Sequence, residues 1–382
     1  MASLYDDRID ACRHELEATD AALAVVFPGP NLTYLTGFQE SPSERHFLCF
    51  VPREGDPTVV APSLYESQLA ALPVDGLTVR TWSDDDDPVA VVADILQSYG
   101  IETGRGRTIL LDDRLWETFS QDVRSLCPGA DFGLASTALE PLRLRKDAVE
   151  RQALAEASAI ADEVSLEIRK RGTDLVGTTE AELAAEIERH LADAGGVEPA
   201  FETIVASGPN AARPHHHSGD REIQHGDPIV LDFGAFVDAE LPAGAGRYPG
   251  DQTRTIVVGD PPAGYTAVHD TVCEAQQAAI GVIEPGVSAA AVDRAARDVI
   301  ETAGYGEAFR HRTGHGVGLE VHEPPYLVAD NDRELEPGMV FSVEPGIYLD
   351  DRFGVRIEDL VVVTEDGSQR LNDSPRGWET ET

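Results

Sequence analysis

The run PIVLDFGAF, residues 228–236, sets a carboxylate, Asp232, among apolar neighbours that read as a strand buried on both faces. A lone carboxylate there is costly unless it is paired or bound to a cation, so the fold has to bring it a partner. Alone, Asp232 is also compatible with a strand-end aspartate hydrogen-bonded to a turn before Gly234. A second acid, Asp251, stands at the mouth of another apolar strand in GDQTRTIVVG, and the Gly- and Pro-rich connection between them predicts a hairpin-like pair. Adjacent strands can turn two carboxylates toward one cation pair, which neutralises the repulsion that otherwise raises one of their pKa values.

Three further segments carry the same kind of anomaly. In HRTGHGVGLEVHE, His311, His315 and His322 cluster in a chain with 11 histidines, and His315 sits between two glycines that let backbone approach closely. MVFSVEPGIYL and GVRIEDLVVVT each place a glutamate, Glu344 and Glu358, in an otherwise apolar strand, and Arg356 shares a face with Glu358. Each has an ordinary alternative when taken singly: a turn-capping Asp251, a satisfied core histidine, a surface ion pair of Arg356 with Glu358. Together, four carboxylates and an imidazole without thiols make an oxygen-rich donor set. It suits manganese, cobalt or iron, with zinc possible.

Composition narrows the partners. The 30 Lys and Arg face 69 Asp and Glu, a formal charge of −39, and Lys146 and Lys170 are the only lysines. Such a density repels phosphate backbones and anionic membrane surfaces, so nucleic acid and membrane are excluded as partners. Self-repulsion on this scale predicts adaptation to a salt-rich, halophilic cytoplasm in which counter-ions screen the surface. Cys12, Cys49, Cys127 and Cys273 show no paired spacing and read as free thiols. The N-terminus has no basic segment followed by an apolar run, and no stretch has the length of a membrane span, which predicts a cytoplasmic protein.

The length of 382 residues predicts two domains at roughly 100 to 200 residues each. Over residues 1–138, AALAVVF, FLCFVP, PTVVAP, LTVRTW and RTILLDD read as strands and DPVAVVADILQSYG as a helix ending at Gly100, an α/β alternation. The acids 84–87 ahead of Pro88 read as a solvated helix entry. From residue 139 to 382 the pattern is α+β. A long helix carries Val149, Ala153, Leu154, Ala157, Ile160, Val164 and Ile168 to a stop at Gly172, and Thr179 with Glu182 caps the next. Helices from about Tyr265 to Ile283 and from Ser288 to near Gly304 alternate with β-branched segments.

On these motifs the chain resembles the creatinase and prolidase superfamily, which includes methionine aminopeptidase, aminopeptidase P and prolidase. The segments NLTYLTGF and PLRLRKDAVERQALAEASAIAD are similar to its two-domain branch; methionine aminopeptidases lack the extra domain. The resemblance implies a pita-bread C-terminal catalytic domain, α+β, behind an α/β creatinase/prolidase-type N-terminal domain. It also implies two divalent metal ions, Mn2+ or Co2+ with Fe2+ or Zn2+ possible, held by Asp232, Asp251, His315, Glu344 and Glu358. Creatinase itself has the fold without this ligand set. Glu344, His215 and His322 are then the catalytic residues, His322, Arg356, Tyr248 and His311 the substrate contacts, and His216 and His217 have no family role. The activity implied is hydrolysis, by a metal-activated water, of the bond before proline in peptides or dipeptides, by a homodimer acting as Xaa-Pro dipeptidase or aminopeptidase. The interval from Asp232 to Asp251 is longer than the family usually shows, AELPAGAGR enlarging the hairpin loop ahead of Tyr248. Competing expectations are a metal-dependent lyase or non-prolyl hydrolase on the same scaffold, and a non-catalytic binding protein.

Overall fold

The structure, a computed structural model, describes residues 3–241 and 246–380, so residues 242–245 of the enlarged loop lie outside the described residues. The chain divides into two compact units, residues 1–143 and residues 144–239 with 247–382.

In the first unit the five apolar runs form the strands Ala21–Val26, Leu48–Pro52, Thr58–Pro62, Thr78–Trp82 and Thr108–Leu111. With Asp131–Leu134 they make one six-stranded sheet, ordered Thr78–Trp82, Thr58–Pro62, Leu48–Pro52, Ala21–Val26, Thr108–Leu111, Asp131–Leu134. Leu48–Pro52 runs antiparallel to both neighbours and every other pair is parallel. Strands covered on both faces need apolar residues at successive positions, which is why these runs do not alternate. The last strand, DFGL, is an edge with exposed ends, and its sequence carries no such signal. Asp87 caps the helix Pro88–Ser98 by accepting from the Val89 N–H, and Gly100 takes the left-handed conformation (φ 66°) beyond its end.

The second unit opens on the helix Ala148–Lys170, where Asp147 and Glu150 form a reciprocal capping box. Ala153, Leu154, Ala157, Ile160, Val164 and Ile168 are buried in one core with Leu183, Ile187 and Leu191 of the helix Glu180–Asp193. Each buried Leu, Ile or Val there contributes about 1.5–3 kcal/mol relative to exposure. Thr179 and Glu182 make the expected box at the start of Glu180–Asp193. The helices Tyr265–Gly281 and Ala289–Thr302, the second capped by Ser288, build another core with Phe341, Val343, Val355 and Val361.

Against these helices lie the sheets that carry the unusual acids. Pro228–Phe233 is the middle of three antiparallel strands, between Gln252–Val257 and Ile204–Ser207. A five-stranded sheet runs Glu323–Leu327, Gly314–Gly316, Val340–Val343, Asp359–Thr364, Gly367–Arg370, and Gly346–Leu349 pairs with Phe353–Arg356. The hairpin between the two aspartates is present: Asp232 stands opposite Thr253, and beyond it Phe236 pairs with Pro249 and Asp238 with Arg247.

Candidate metal centre

One cleft of about 260 Å3 in the second unit gathers Asp232, Asp251, His315, Glu344 and Glu358. They come from five chain segments. Asp232 is the penultimate residue of its strand, Asp251 precedes Gln252–Val257, His315 is the centre of Gly314–Gly316, and Glu344 follows Val340–Val343. Glu358 lies between Phe353–Arg356 and Asp359–Thr364, its N–H bonded to the Thr253 carbonyl at 3.1 Å. The glycines beside His315 are dictated by crowding. A Cβ on Gly314 would lie 1.9 Å from the Ser342 carbonyl oxygen, and one on Gly316 would lie 2.2 Å from that of Pro324. No other residue lets the neighbouring strands close around the imidazole.

Local bonds aim the donor atoms. The His315 Nδ1 lies 3.3 Å from the Gly316 carbonyl oxygen, within reach to donate to it, and this contact turns Nε2 toward the acids. That Nε2 is 3.3 Å from Glu344 Oε1 and 3.6 Å from Asp251 Oδ2. Ser342 Oγ accepts from the His315 N–H at 3.1 Å and donates to Glu344 Oε1 at 3.1 Å. Thr253 Oγ1 donates to Glu358 Oε2 at 2.6 Å.

The cluster is electrostatically incomplete. Burial pushes Asp251 and Glu358 well above the usual carboxylate range, and the charges of the other acids push further the same way. Asp232 is also raised by burial, against the pull of Arg356. Glu344 goes the other way, to about 2: burial raises it, but the hydrogen bond and charge of His315, with His311 and Arg356 behind, prevail. One ligand atom each from Asp251, His315 and Glu358 lies within 4.8 Å of the others, close enough to share one ion. At that spacing two like charges repel by about 3 kcal/mol at an effective dielectric constant of 20. Oδ1 of Asp232 is buried without a hydrogen-bond partner. A buried orphan oxygen beside mutually repelling acids is what a divalent-cation site looks like before its charge is balanced, and the all-oxygen-and-imidazole donor set fits hard or borderline ions.

The other expected residues fall into two groups. His215 and His322 line the cleft, and the His322 ring stands 4.1 Å from that of His315, its pKa pushed down to about 4 by burial and then by His315 and Arg312. Arg356 and His311 also line it, but their polar atoms are engaged by the protein. Arg356 donates to Asp232 Oδ2 (2.6 Å), Thr253 Oγ1 (3.0 Å), the Tyr348 hydroxyl (2.8 Å) and the Pro214 carbonyl (3.2 Å). His311 donates from Nδ1 to the Arg312 carbonyl at 2.8 Å and meets the Tyr348 hydroxyl through Nε2 at 2.9 Å. Both therefore brace the site instead of presenting a free group to a substrate. Tyr248 is not at the cleft: it is fully buried in the helix-packed core with its hydroxyl on Glu150 Oε1 at 2.9 Å.

Residues that the sequence did not single out complete the walls. Phe201, Ile204, Pro214 and Val321 supply apolar surface and Arg312 a cation. Thr253, Ser342 and Tyr348 orient the acids and Arg356. Thr253 stands two positions from Asp251, on the same strand face, and that is the one sequence signal among the three; Tyr348 in GIYL offers none.

Known proteins share both units. A model of the creatinase/prolidase N-terminal domain matches residues 8–145, and one of metallopeptidase family M24 matches residues 151–365. The Xaa-Pro dipeptidase of Lactobacillus helveticus is 36% identical over 364 residues, 94% of this chain and 95% of its own. Among solved structures, the dipeptidase PepE of Mycobacterium ulcerans superposes with a TM-score of 0.88 at 39% identity, covering 98% of this chain and 97% of that one. The prolidase of Thermococcus sibiricus gives 0.89 at 37%, covering 99% of both. The C-terminal unit is thus a pita-bread domain behind a creatinase-type N-terminal domain, and with its M24 match spanning more than half its length the chain belongs to metallopeptidase family M24.

Proposed function

We propose that the chain hydrolyses dipeptides of the form Xaa-Pro, using two divalent ions held by Asp232, Asp251, His315, Glu344 and Glu358. The observation that carries this reading is the buried, unneutralised acid cluster at the floor of a cleft with apolar walls. The names of the relatives, Xaa-Pro dipeptidase and prolidase, support the substrate class. Manganese or cobalt is the expected pair, and a homodimer in the cytoplasm the expected setting.

Divalent ions in this donor set would lower the pKa of a water and polarise the scissile carbonyl. The chain's own groups do the rest. Glu344, whose carboxyl the neighbouring His315 holds below its ordinary pKa, takes the attacking water's proton. It then passes that proton to the proline nitrogen as it leaves. His322, neutral because burial disfavours its charge, donates a ring N–H to the developing oxyanion, with His215 beside it. The amide nitrogen before proline carries no hydrogen, so the apolar wall of Phe201, Ile204, Pro214 and Val321 leaves no donor unsatisfied there.

Arg312 supports a dipeptide as the substrate. It lies over the Tyr326 ring at 4.5 Å and has no carboxylate partner among the described residues. A guanidinium without an acid, in a chain this acidic, is the natural partner of a substrate's C-terminal carboxylate. Arg312→Ala should raise KM for Xaa-Pro dipeptides roughly 10- to 100-fold and leave Xaa-Pro amides nearly unaffected. The experiment for the main reading is hydrolysis of Ala-Pro by metal-stripped protein with and without added Mn2+ or Co2+; no metal-stimulated cleavage at any salt concentration would reject it.

A further inference from the structure

The resemblance gives His215 a role but none to its neighbours, yet His216 also lines the cleft. Its Nε2 lies 2.7 Å from Oε2 of Glu180. Glu180 has no exposed side-chain surface and opens the helix Glu180–Asp193. The same carboxylate accepts from Ser207 N–H (2.8 Å), Ser207 Oγ (2.7 Å), Asn210 Nδ2 (3.0 and 3.2 Å) and Gly219 N–H (3.3 Å). Burial pushes the acid up, but the bonds from Asn210, Ser207 and His216 outweigh it and hold the pKa below the ordinary carboxylate value.

Two consequences follow from that geometry. An ionised carboxylate only accepts, so the proton in the 2.7 Å contact sits on His216 Nε2. Ser207, Asn210 and Gly219 already satisfy Glu180 without any imidazole, so the contact fixes the ring and is not needed to rescue the acid. The ring is left with Nδ1, which has no protein partner among the described residues. With the Nε2 proton given to Glu180, Nδ1 is the ring nitrogen that remains to accept.

We propose that Glu180 is a positioning residue that locks His216 so that Nδ1 accepts a hydrogen bond from the bound dipeptide. The inference rests on the peptidase reading above. An Xaa-Pro dipeptide has no amide N–H, so its only backbone donor is the terminal ammonium, and that is the group His216 meets. The segment from Ser207 to Gly219, which carries His215 and the Pro214 carbonyl that Arg356 binds, is tied to the same acid.

The test is steady-state kinetics on Ala-Pro with Mn2+-loaded wild type, His216→Ala, His216→Asn, Glu180→Gln and the double variant of His216→Ala with Glu180→Gln, each checked for its melting temperature. His216→Ala should raise KM about 10-fold with kcat within about 2-fold. His216→Asn keeps a donor for Glu180 and an acceptor for the cleft, and should recover most of the loss. Glu180→Gln should raise KM in the wild-type background and add nothing to His216→Ala, because it acts through that ring. An unchanged KM for His216→Ala, or KM effects that multiply in the double variant, would overturn the proposal while leaving a working wild-type peptidase. A wild type inert on every dipeptide removes the peptidase reading and this inference together. Should Glu180→Gln fail to fold, the two His216 variants decide alone.

Discussion

Glu358 and Asp359 are neighbours in the chain, both acids and both almost completely buried, and they live in opposite electrostatic worlds. Asp359 is neutralised by the protein itself. Its Oδ1 accepts from the fully buried Arg254 at 2.7 Å, and its Oδ2 from Gln276 and Arg370 at 3.1 Å each. Arg254 in turn clamps the carbonyls of Thr253, Glu358, Ser374 and Pro375. Glu358, on the other face, receives a single hydroxyl from Thr253 and is pushed up by burial, Asp251, Glu344 and Asp232. An acid meant to hold the fold is given its cations in the sequence. Glu358, placed to hold a cation, is given no cation by the chain.

That contrast can be broken by substitution. The largest effect belongs to Glu358→Gln, which should lower kcat/KM for Ala-Pro by roughly 10^3-fold or more, because the ion it would hold is lost. In chelator, the same variant should unfold at the wild-type denaturant midpoint or above it, since one of several repelling charges is gone. Asp359→Asn should do the reverse to stability. It leaves Arg254 buried with its charge uncompensated, at a cost of about 3–5 kcal/mol read as a lower urea midpoint. If Glu358→Gln destabilises the stripped protein as much as Asp359→Asn does, the distinction between the two acids fails.

Metal sharpens the comparison at an intermediate scale. Mn2+ at about 100 times its dissociation constant should stabilise the wild type by about 2.7 kcal/mol in urea titrations. The gain should shrink in Glu358→Gln and survive in Asp359→Asn, where the donors are intact. The smallest expected effect lies on the surface. With a formal charge of −39, raising salt from about 0.1 M to about 1 M shortens the screening length from roughly 10 to 3 Å and should stabilise all three proteins alike by about 1–2 kcal/mol. A fall in stability over that range would contradict the salt-adapted reading of the composition.

The same pair shows what a sequence can and cannot disclose. Acids inside apolar runs are visible as anomalies, so Asp232, Asp251, Glu344 and Glu358 could be singled out, and GHGVG marked His315. RIEDLVVVT, however, contains two acids in tandem, and nothing local says which one faces a cleft and which one faces an arginine. Arg254, Gln276 and Arg370 reach Asp359 from separate elements, and such pairings exist only after folding. Glu180 and His216 meet in the same way, across a helix and a loop. Arg356 could be placed beside Glu358 by strand alternation, but the four acceptors that use up its donors come from Thr253, Tyr348, Pro214 and Asp232, so its bracing role was invisible. Tyr248 was placed by motif alone, and burial against Glu150 takes it out of the cleft. For the fold, capped helices and doubly covered strands were legible because local chemistry sets them. The edge strand Asp131–Leu134 was not, because it is held by its neighbour's ladder more than by its own pattern.

The central claim is that the unneutralised acids exist to hold two catalytic ions. It is tested most directly by titrating metal-stripped protein with Mn2+ while measuring bound metal and Ala-Pro turnover together. Turnover should be absent at the start, appear as ions bind to a limit of two per chain, and fail to appear in Glu358→Gln. Full turnover in the stripped wild type, or undiminished metal-dependent turnover in Glu358→Gln, would contradict it.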